Sequence, residues 1–242
     1  MISVVMPAHN EQGYLAAAVE RVVNGLRDRP EPFEVIVCEN GSTDLTAKIA
    51  SECCRLHPEL KVVALPEADY GRALRAGFLA SAGDQVVNFD VDLVDLGFLD
   101  AALTLSRTVD SPVIVVGSKR SPGSSDQRPA GRQIVTAIFS LVLRKGFGLR
   151  VSDTHGLKLL SRAPLVPVVA ACRFGGDIFD TELILRAEHA GLEVMEIPVT
   201  VVDQRPPRTS IVRRIPRSLL GLARLRVTLW RERKLEHSRK RL

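Results

Sequence analysis

The 242 residues suffice for one large α/β domain or two small ones, and a 45% hydrophobic content can fill a core. Aromatic residues at 5% and charged residues at 25% exclude a disordered or fibrous chain. The formal net charge of +5 gathers after Gln204, so an acidic partner is expected for that end, a membrane surface ahead of nucleic acid, for which only Trp230 offers a stacking ring.

Ile2 to Met6 is an apolar, β-branched run stopped by Pro7, and Tyr14 to Leu26 then carries Leu15, Val19, Val22, Val23 and Leu26 at helical spacing. The unit recurs. Phe33 to Val37 reads as a strand, Glu39 to Asp44 as a turn rich in capping residues, and Leu45 to Leu56 as a helix. Lys61 to Leu65 with Arg72 to Ala82, and Gln85 to Phe89 with Leu96 to Leu105, make two more strand-helix pairs, and Val113 to Val116 a fifth strand. Such alternation predicts a mainly parallel sheet with helices on both faces. Ser118 to Pro129 is rich in Ser, Pro and Gly and is a candidate lid. Gln133 to Leu143 reads as an apolar helix, Val151 to Ser161 as a loop with a short strand, Thr181 to Ala190 as a helix stopped by Gly191, and Val194 to Val202 as β-rich. Ile211 to Leu235 interleaves leucines at helical spacing with arginines, the pattern of a basic amphipathic helix. The division expected is one α/β domain over 1–210 and a basic helical tail over 211–242.

Cys38, Cys53, Cys54 and Cys172 lack Cys-x-x-Cys spacing and read as reduced, buried thiols of a cytosolic protein. Met1 to Pro7 lacks the features of a secretory signal, and no run reaches the roughly 18 to 20 apolar residues of a membrane span. A cytoplasmic protein that touches the membrane only peripherally is therefore expected.

In parallel sheets of this kind ligands bind beyond the carboxyl ends of the strands. The loops Ala8 to Gln12, Glu39 to Asp44 and Asp90 to Asp95 all follow strands and belong to that edge. Asp90 and Asp92, spaced i and i+2 on an extended segment, point the same way and can present oxygens to one hard cation, Mg2+ or Mn2+. The same pair would serve equally as a solvated strand end or a helix cap.

Three motifs sit in register: Pro7-Ala8-His9-Asn10-Glu11, Glu39-Asn40-Gly41-Ser42-Thr43-Asp44 and Asp90-Val91-Asp92, with Gly71-Arg72-Ala73 between the second and third. Their order resembles the inverting, nucleotide-sugar-dependent glycosyltransferases of family 2, which have the GT-A (Rossmann-like) fold. Asp153-Thr154-His155-Gly156-Leu157-Lys158, Phe179-Asp180-Thr181-Glu182, Glu196-Ile197-Pro198 and the spacing of Arg205 and Ser210 look like the dolichyl- or polyprenyl-phosphate hexose synthases within that family. The departures are specific. Glu39 and Asn40 replace two aspartates, Val94 stands where a Gln is common, the Asp153 loop is one residue short before Gly156, and Arg208 replaces a glycine.

The resemblance implies a metal-dependent hexosyltransferase taking a UDP- or GDP-linked sugar. Asp90 and Asp92 would hold the metal, Asp92 the more directly. Pro7, Ala8, Asn10, Glu11, Glu39, Asn40 and Asp44 would line the base and ribose, and Lys119, Arg120 and Arg205 would add positive charge around the phosphates. His9 and His155 fall in these loops but read as readily as surface or supporting groups. The implied acceptor is a polyprenyl phosphate at the cytoplasmic membrane face, which needs little help from a base. A hydroxyl acceptor would need a carboxylate to take its proton, and Asp153, Asp180 and Glu182 are the candidates. Two alternatives stand beside this reading: transfer to a soluble or glycan hydroxyl, and a catalytically silent nucleotide-sugar-binding protein. No nucleic-acid partner is expected.

Overall fold

Each of the first four strands ends in a polar turn that feeds a helix, and the computed structural model, which describes residues 1–108, 111–127, 129–201 and 211–239, shows the cause in the burial of each element. β1 (Ile2–Ala8) is buried along its whole length, as a strand covered on both faces must be. α1 (Leu15–Arg27) buries one stripe, Leu15, Ala18, Val19, Val22, Val23 and Leu26, and turns its charges outward. β2 (Phe33–Asn40), α2 (Thr46–Leu56), β3 (Leu60–Leu65), α3 (Tyr70–Ala80), β4 (Gln85–Asn88) and α4 (Leu96–Leu105) continue the alternation. Asp69 and Asp95 cap α3 and α4 by accepting from the backbone N–H of Arg72 and Phe98.

These four strands pair in parallel in the order β3-β2-β1-β4. The chain runs outward from β1 through β2 to β3 and then returns to lay β4 on the other side of β1. Strand order therefore reverses between β1 and β4, the position at whose carboxyl edge sheets of this kind form a ligand crevice.

The second half holds β5 (Ile114–Ser118), β6 (Ser125–Asp126), α5 (Ala130–Phe147), β7 (Lys158–Ser161), α6 (Arg162–Ala171), α7 (Ile178–His189), β8 (Val194–Pro198), β9 (Thr200–Val201) and α8 (Ile211–Arg239). The sheet completes as β3-β2-β1-β4-β7-β5-β8. β7 runs antiparallel to both neighbours, a direction that an apolar run does not encode, since its pattern reads the same either way. α6 occupies an apolar stretch that sequence reading treats only as too short to span a membrane. Pro164 sits in its first turn, where a missing N–H costs nothing, and Pro167 lies inside it. The Ser118 to Pro129 stretch is tied down in part: Ser125 and Gln127 donate to the carbonyls of Val199 and Val201 at 3.2 and 3.1 Å, pairing β6 with β9. α5 extends past the predicted Gln133 to Leu143 and stops at Gly148, whose φ of +72° suits glycine.

Two apolar layers cover the sheet. Val4 and Met6 face α1, α2 and α4, whereas Val5, Ile36 and Cys38 face α3, α6, α7 and α8. Two glycines let α3 approach closely: a Cβ at Gly77 would lie 2.3 Å from Val5 Cγ1, and one at Gly71 2.5 Å from Phe179 Cβ on α7. α8 shares the second layer through Leu222, Leu225 and Leu229. The four cysteines are free thiols, and burial pushes Cys38 up to about 12. Among the described residues no helix is long and apolar enough to cross a membrane.

Candidate functional site

The loops after β1 and β2 are zipped together. Asn10 adopts a positive φ of 55°, which Asn tolerates, and its Oδ1 accepts from the Thr43 N–H at 2.8 Å while its own N–H donates to Ser42 Oγ at 3.0 Å. The Glu11 N–H donates to Thr46 Oγ1 at 2.7 Å, and His9 Nδ1 lies 2.9 Å from the Asn40 carbonyl. Asp44 accepts from the N–H groups of Gln12 and Thr46 at 3.3 and 2.9 Å, and these hydrogen bonds together with the Thr46 hydroxyl hold its carboxyl below the usual range although partial desolvation opposes them. Glu39, buried at the end of β2, accepts from the Ser42 N–H at 2.7 Å. Asn10 and Asp44 thus shape the crevice by holding its two walls in register. Pro7, Ala8 and Asn40 complete the strand ends beside them.

On the other side of β1, β4 delivers Asp90 and Asp92. Tyr70, at the start of α3, donates its hydroxyl to Asp90 Oδ1 at 3.0 Å. Burial pushes Asp90 up and the charge of Asp92 adds to this; Asp180 acts in the same sense and Lys158 against it. Burial, together with Asp90 and Asp180, likewise holds Tyr70 well above the phenol range. Lys158 is fully buried, 3.0 Å from Asp180 Oδ1, and donates to the Gly156 carbonyl at 2.9 Å, which Asn88 also reaches at 3.2 Å.

Asp90 therefore has two further carboxylates, Asp92 and Asp180, and the Lys158 ammonium in its electrostatic surroundings, with Lys158 paired to Asp180. Carboxylate oxygens are the ligands a hard divalent cation takes, and a cation beside Asp90 would offset the burial and like charge that disfavour its ionised form, so the residues fit the expected metal. Among the described residues no group of three or more His, Cys, Asp or Glu side chains is arranged to hold a metal. Asp90 and Asp92 would supply the protein ligands, and phosphate and water the rest. Val94 is buried and apolar and contributes none.

The third wall is the segment before β7. Glu196 on β8 accepts from Ser152 N–H and Oγ and from the Asp153 N–H at 2.8–3.0 Å, which fixes Asp153 in a buried position. Asp153 Oδ1 accepts from the His155 N–H at 3.0 Å. Its Oδ2 lies 3.4 Å from Lys119 Nζ and makes no hydrogen bond within the described chain. Arg120 is exposed beside it, with its N–H on Ser118 Oγ at 3.1 Å. His155 Nε2 lies 2.9 Å from the Asp177 carbonyl at the start of α7, a supporting contact.

Glu182 differs from the other candidates. Its Oε2 accepts from the N–H groups of Arg173 and Phe174, both at 2.8 Å, and its Oε1 from Arg186 Nε at 2.8 Å. Arg186 continues to Glu232 on α8 at 2.8 Å. Arg205 lies outside the described residues.

Sequence reading overlooked Tyr70, Lys158 and Glu196 as working parts. A lysine inside the apolar run Leu157 to Leu160 was the available signal, because an ammonium there must be buried against a partner. Nothing in the chain marks Tyr70, whose role depends on α3 crossing the end of β4.

Residues 3–156 match the family described as Glycosyl transferase family 2. Among curated proteins, the chain is 29% identical over 237 residues to the glycosyltransferase AglD of Haloferax volcanii, covering 95% of this chain but 37% of that protein. It is 24% identical over 251 residues to a dolichyl-phosphate beta-glucosyltransferase of Trichomonas vaginalis, covering 98% and 77%. Among solved structures, glucosyl-3-phosphoglycerate synthase of Mycobacterium tuberculosis, in complex with Mn2+, UDP and glucosyl-3-phosphoglycerate, superposes with a TM-score of 0.59 at 23% identity, covering 89% of this chain and 75% of that one. The shared fold is GT-A.

Proposed function

Because the chain belongs to glycosyl transferase family 2, we propose that it transfers a hexose, with inversion, from a UDP- or GDP-linked donor to a polyprenyl phosphate at the cytoplasmic face of a membrane. The observation that carries this reading is the placing of Asp90, under the influence of Asp92, Asp180 and Lys158, at the sheet's point of reversal. The dolichyl-phosphate acceptor in the name of one relative favours a lipid phosphate.

A bound Mg2+ or Mn2+ would neutralise the leaving diphosphate as the glycosidic bond breaks. Asp92 and Asp90 would hold it, and Tyr70 orients Asp90 by its hydrogen bond. Glu11 and Glu39 accept from base and ribose, in a cleft whose shape Asn10, Asn40 and Asp44 maintain beside Pro7 and Ala8. Lys119 and Arg120 place positive charge near the phosphates; Arg205, which lies outside the described residues, is expected from the family resemblance to add to it. A phosphate acceptor arrives ionised, so no base is needed for it.

A second reading rests on one observation. Asp153 Oδ2 is buried with the Lys119 ammonium 3.4 Å away and makes no hydrogen bond within the described chain, which leaves it able to accept one from a hydroxyl. Transfer to a soluble or glycan hydroxyl would then use Asp153. Glu182, whose two oxygens are taken up by Arg173, Phe174 and Arg186, is assigned an anchoring role.

Calorimetric titration with UDP, GDP and their hexose conjugates, with and without Mn2+, tests the core of the proposal. One nucleotide is expected to bind in a metal-dependent way, and Asp92→Ala to abolish the metal dependence and lower kcat/KM roughly a thousandfold, about 4 kcal/mol of transition-state stabilisation. Absence of binding by every nucleotide diphosphate would sink the transferase reading. Binding without turnover would leave a nucleotide-sugar sensor.

A further inference from the structure

Away from the crevice, a cavity of about 260 Å3 opens between the C-terminal ends of α5 and α7 and one flank of α8. We propose that it seats the phosphate headgroup of an anionic phospholipid and so docks this face on a bilayer; the inference rests on the membrane-facing acceptor proposed above.

Cations and apolar rings line the cavity, and no carboxylate does. Arg226 and Arg233 reach it from α8, one over the Phe147 ring at 5.7 Å and the other donating to a His189 ring nitrogen at 2.7 Å. Burial and the adjacent Arg233 and Arg186 push His189 down, so that it accepts from Arg233 at neutral pH. Glu232, the acidic neighbour on α8, turns to Arg186 and Arg173. Two guanidiniums beside a small cavity match a phosphate, which accepts hydrogen bonds from planar N–H pairs.

The surface around the cavity identifies the phosphate as a lipid's. At roughly 100° per residue, Leu219, Leu220, Val227 and Trp230 fall within about 100° of arc on α8, and each is 47–57% exposed. Arg226 and Arg233 border one side of this arc, and Arg217, Arg224 and Arg231 the other. Leu222, Leu225 and Leu229 face the domain. An exposed apolar stripe bordered by arginines is the pattern of a helix lying in the plane of an anionic interface. A free phosphate would account for the arginines but not for the apolar stripe beside them.

Trp230 lines the cavity and is the chain's one tryptophan, so its emission reports occupancy. The full chain is titrated with dihexanoyl-phosphatidylglycerol below its micelle concentration, with dihexanoyl-phosphatidylcholine, and with inorganic phosphate. A saturable blue shift is expected with the first alone. Arg226→Gln with Arg233→Gln should weaken it tenfold or more, while Arg217→Gln with Arg224→Gln, an equal loss of charge, should weaken it less than threefold. No saturable response in the wild type, equal weakening by both pairs, or an equal response to inorganic phosphate would overturn the lipid site. Sugar transfer to detergent-solubilised polyprenyl phosphate is measured in parallel and should be unchanged in both pairs. Transfer without a lipid response overturns this inference and leaves the proposed function standing, whereas a lipid response without transfer supports the site and removes that function.

Discussion

Asp90 is the residue on which the site turns. Its carboxyl is pushed up by burial and by Asp92, so in the folded chain it keeps a proton that the unfolded chain has already released. Metal-free stability should therefore fall as pH rises from the ordinary carboxylate range through the raised pKa of Asp90. At the proposed metal site Mn2+ would compete with that proton, so the rise in Tm on adding Mn2+ should be small at acid pH and grow as pH increases. Thermal scans of wild type and Asp90→Asn across pH, with and without Mn2+, check this; a metal effect independent of pH would contradict it. Asp153 and Glu182 separate at the same scale. Glu182→Gln removes charge from a carboxylate that anchors two backbone N–H groups and Arg186, and should lower Tm, by about 2–3 kcal/mol of stability, while sparing kcat of the folded enzyme. Asp153→Asn should cut kcat by about a hundredfold if the acceptor is a hydroxyl and leave it nearly unchanged if it is a phosphate.

At the scale of elements, α3 does the most to assemble the crevice. Asp69 caps it and also accepts from the Gly176 N–H at 2.7 Å, which joins α3 to the turn before α7. Tyr70 then reaches Asp90 from its first turn. Gly71 lets α3 lie against α7 with no intervening Cβ. Gly71→Ala would put a methyl group 2.5 Å from Phe179 Cβ and 2.8 Å from the Gly176 carbonyl. The expected cost is about 1–3 kcal/mol of stability. Displacement of Tyr70 should also weaken Mn2+-dependent nucleotide binding, which calorimetry would detect. Binding at the wild-type affinity would show that α3 does not set the position of Asp90. The glycine itself is readable in the sequence, but the surface it meets lies more than a hundred residues away in the chain.

For the whole molecule, the question is whether residues 211–239 form an appendage or part of the fold. Leu222, Leu225 and Leu229 join the layer beneath the sheet, and Glu232 continues the Glu182–Arg186 pair. Leu225 is completely buried. Leu225→Ala should therefore destabilise the entire chain by about 2–5 kcal/mol, seen as a single shifted transition in urea. A separate early transition of the helix, with the main one unmoved, would make 211–242 an independent tail. The sheet brings two distant parts of the chain together: β7 enters between β4 and β5, so that Lys158 pairs with Asn88 at the end of β4 and the Gly156 carbonyl accepts from the Asn88 side chain.

The alternating β-α units, the three loops on one sheet edge and the Asp90–Asp92 pair were legible because they depend on local periodicity and short spacings. Asn10 and Asp44 were legible as site-loop residues, though not as the clasp between two loops. Direction and burial were not legible. The antiparallel course of β7, the helix at Arg162–Ala171, the hydrogen bond from Tyr70 to Asp90 and the saturation of Glu182 all depend on contacts between residues far apart in sequence. A carboxylate's role follows from which donors reach it and how much water remains, and only tertiary packing decides both.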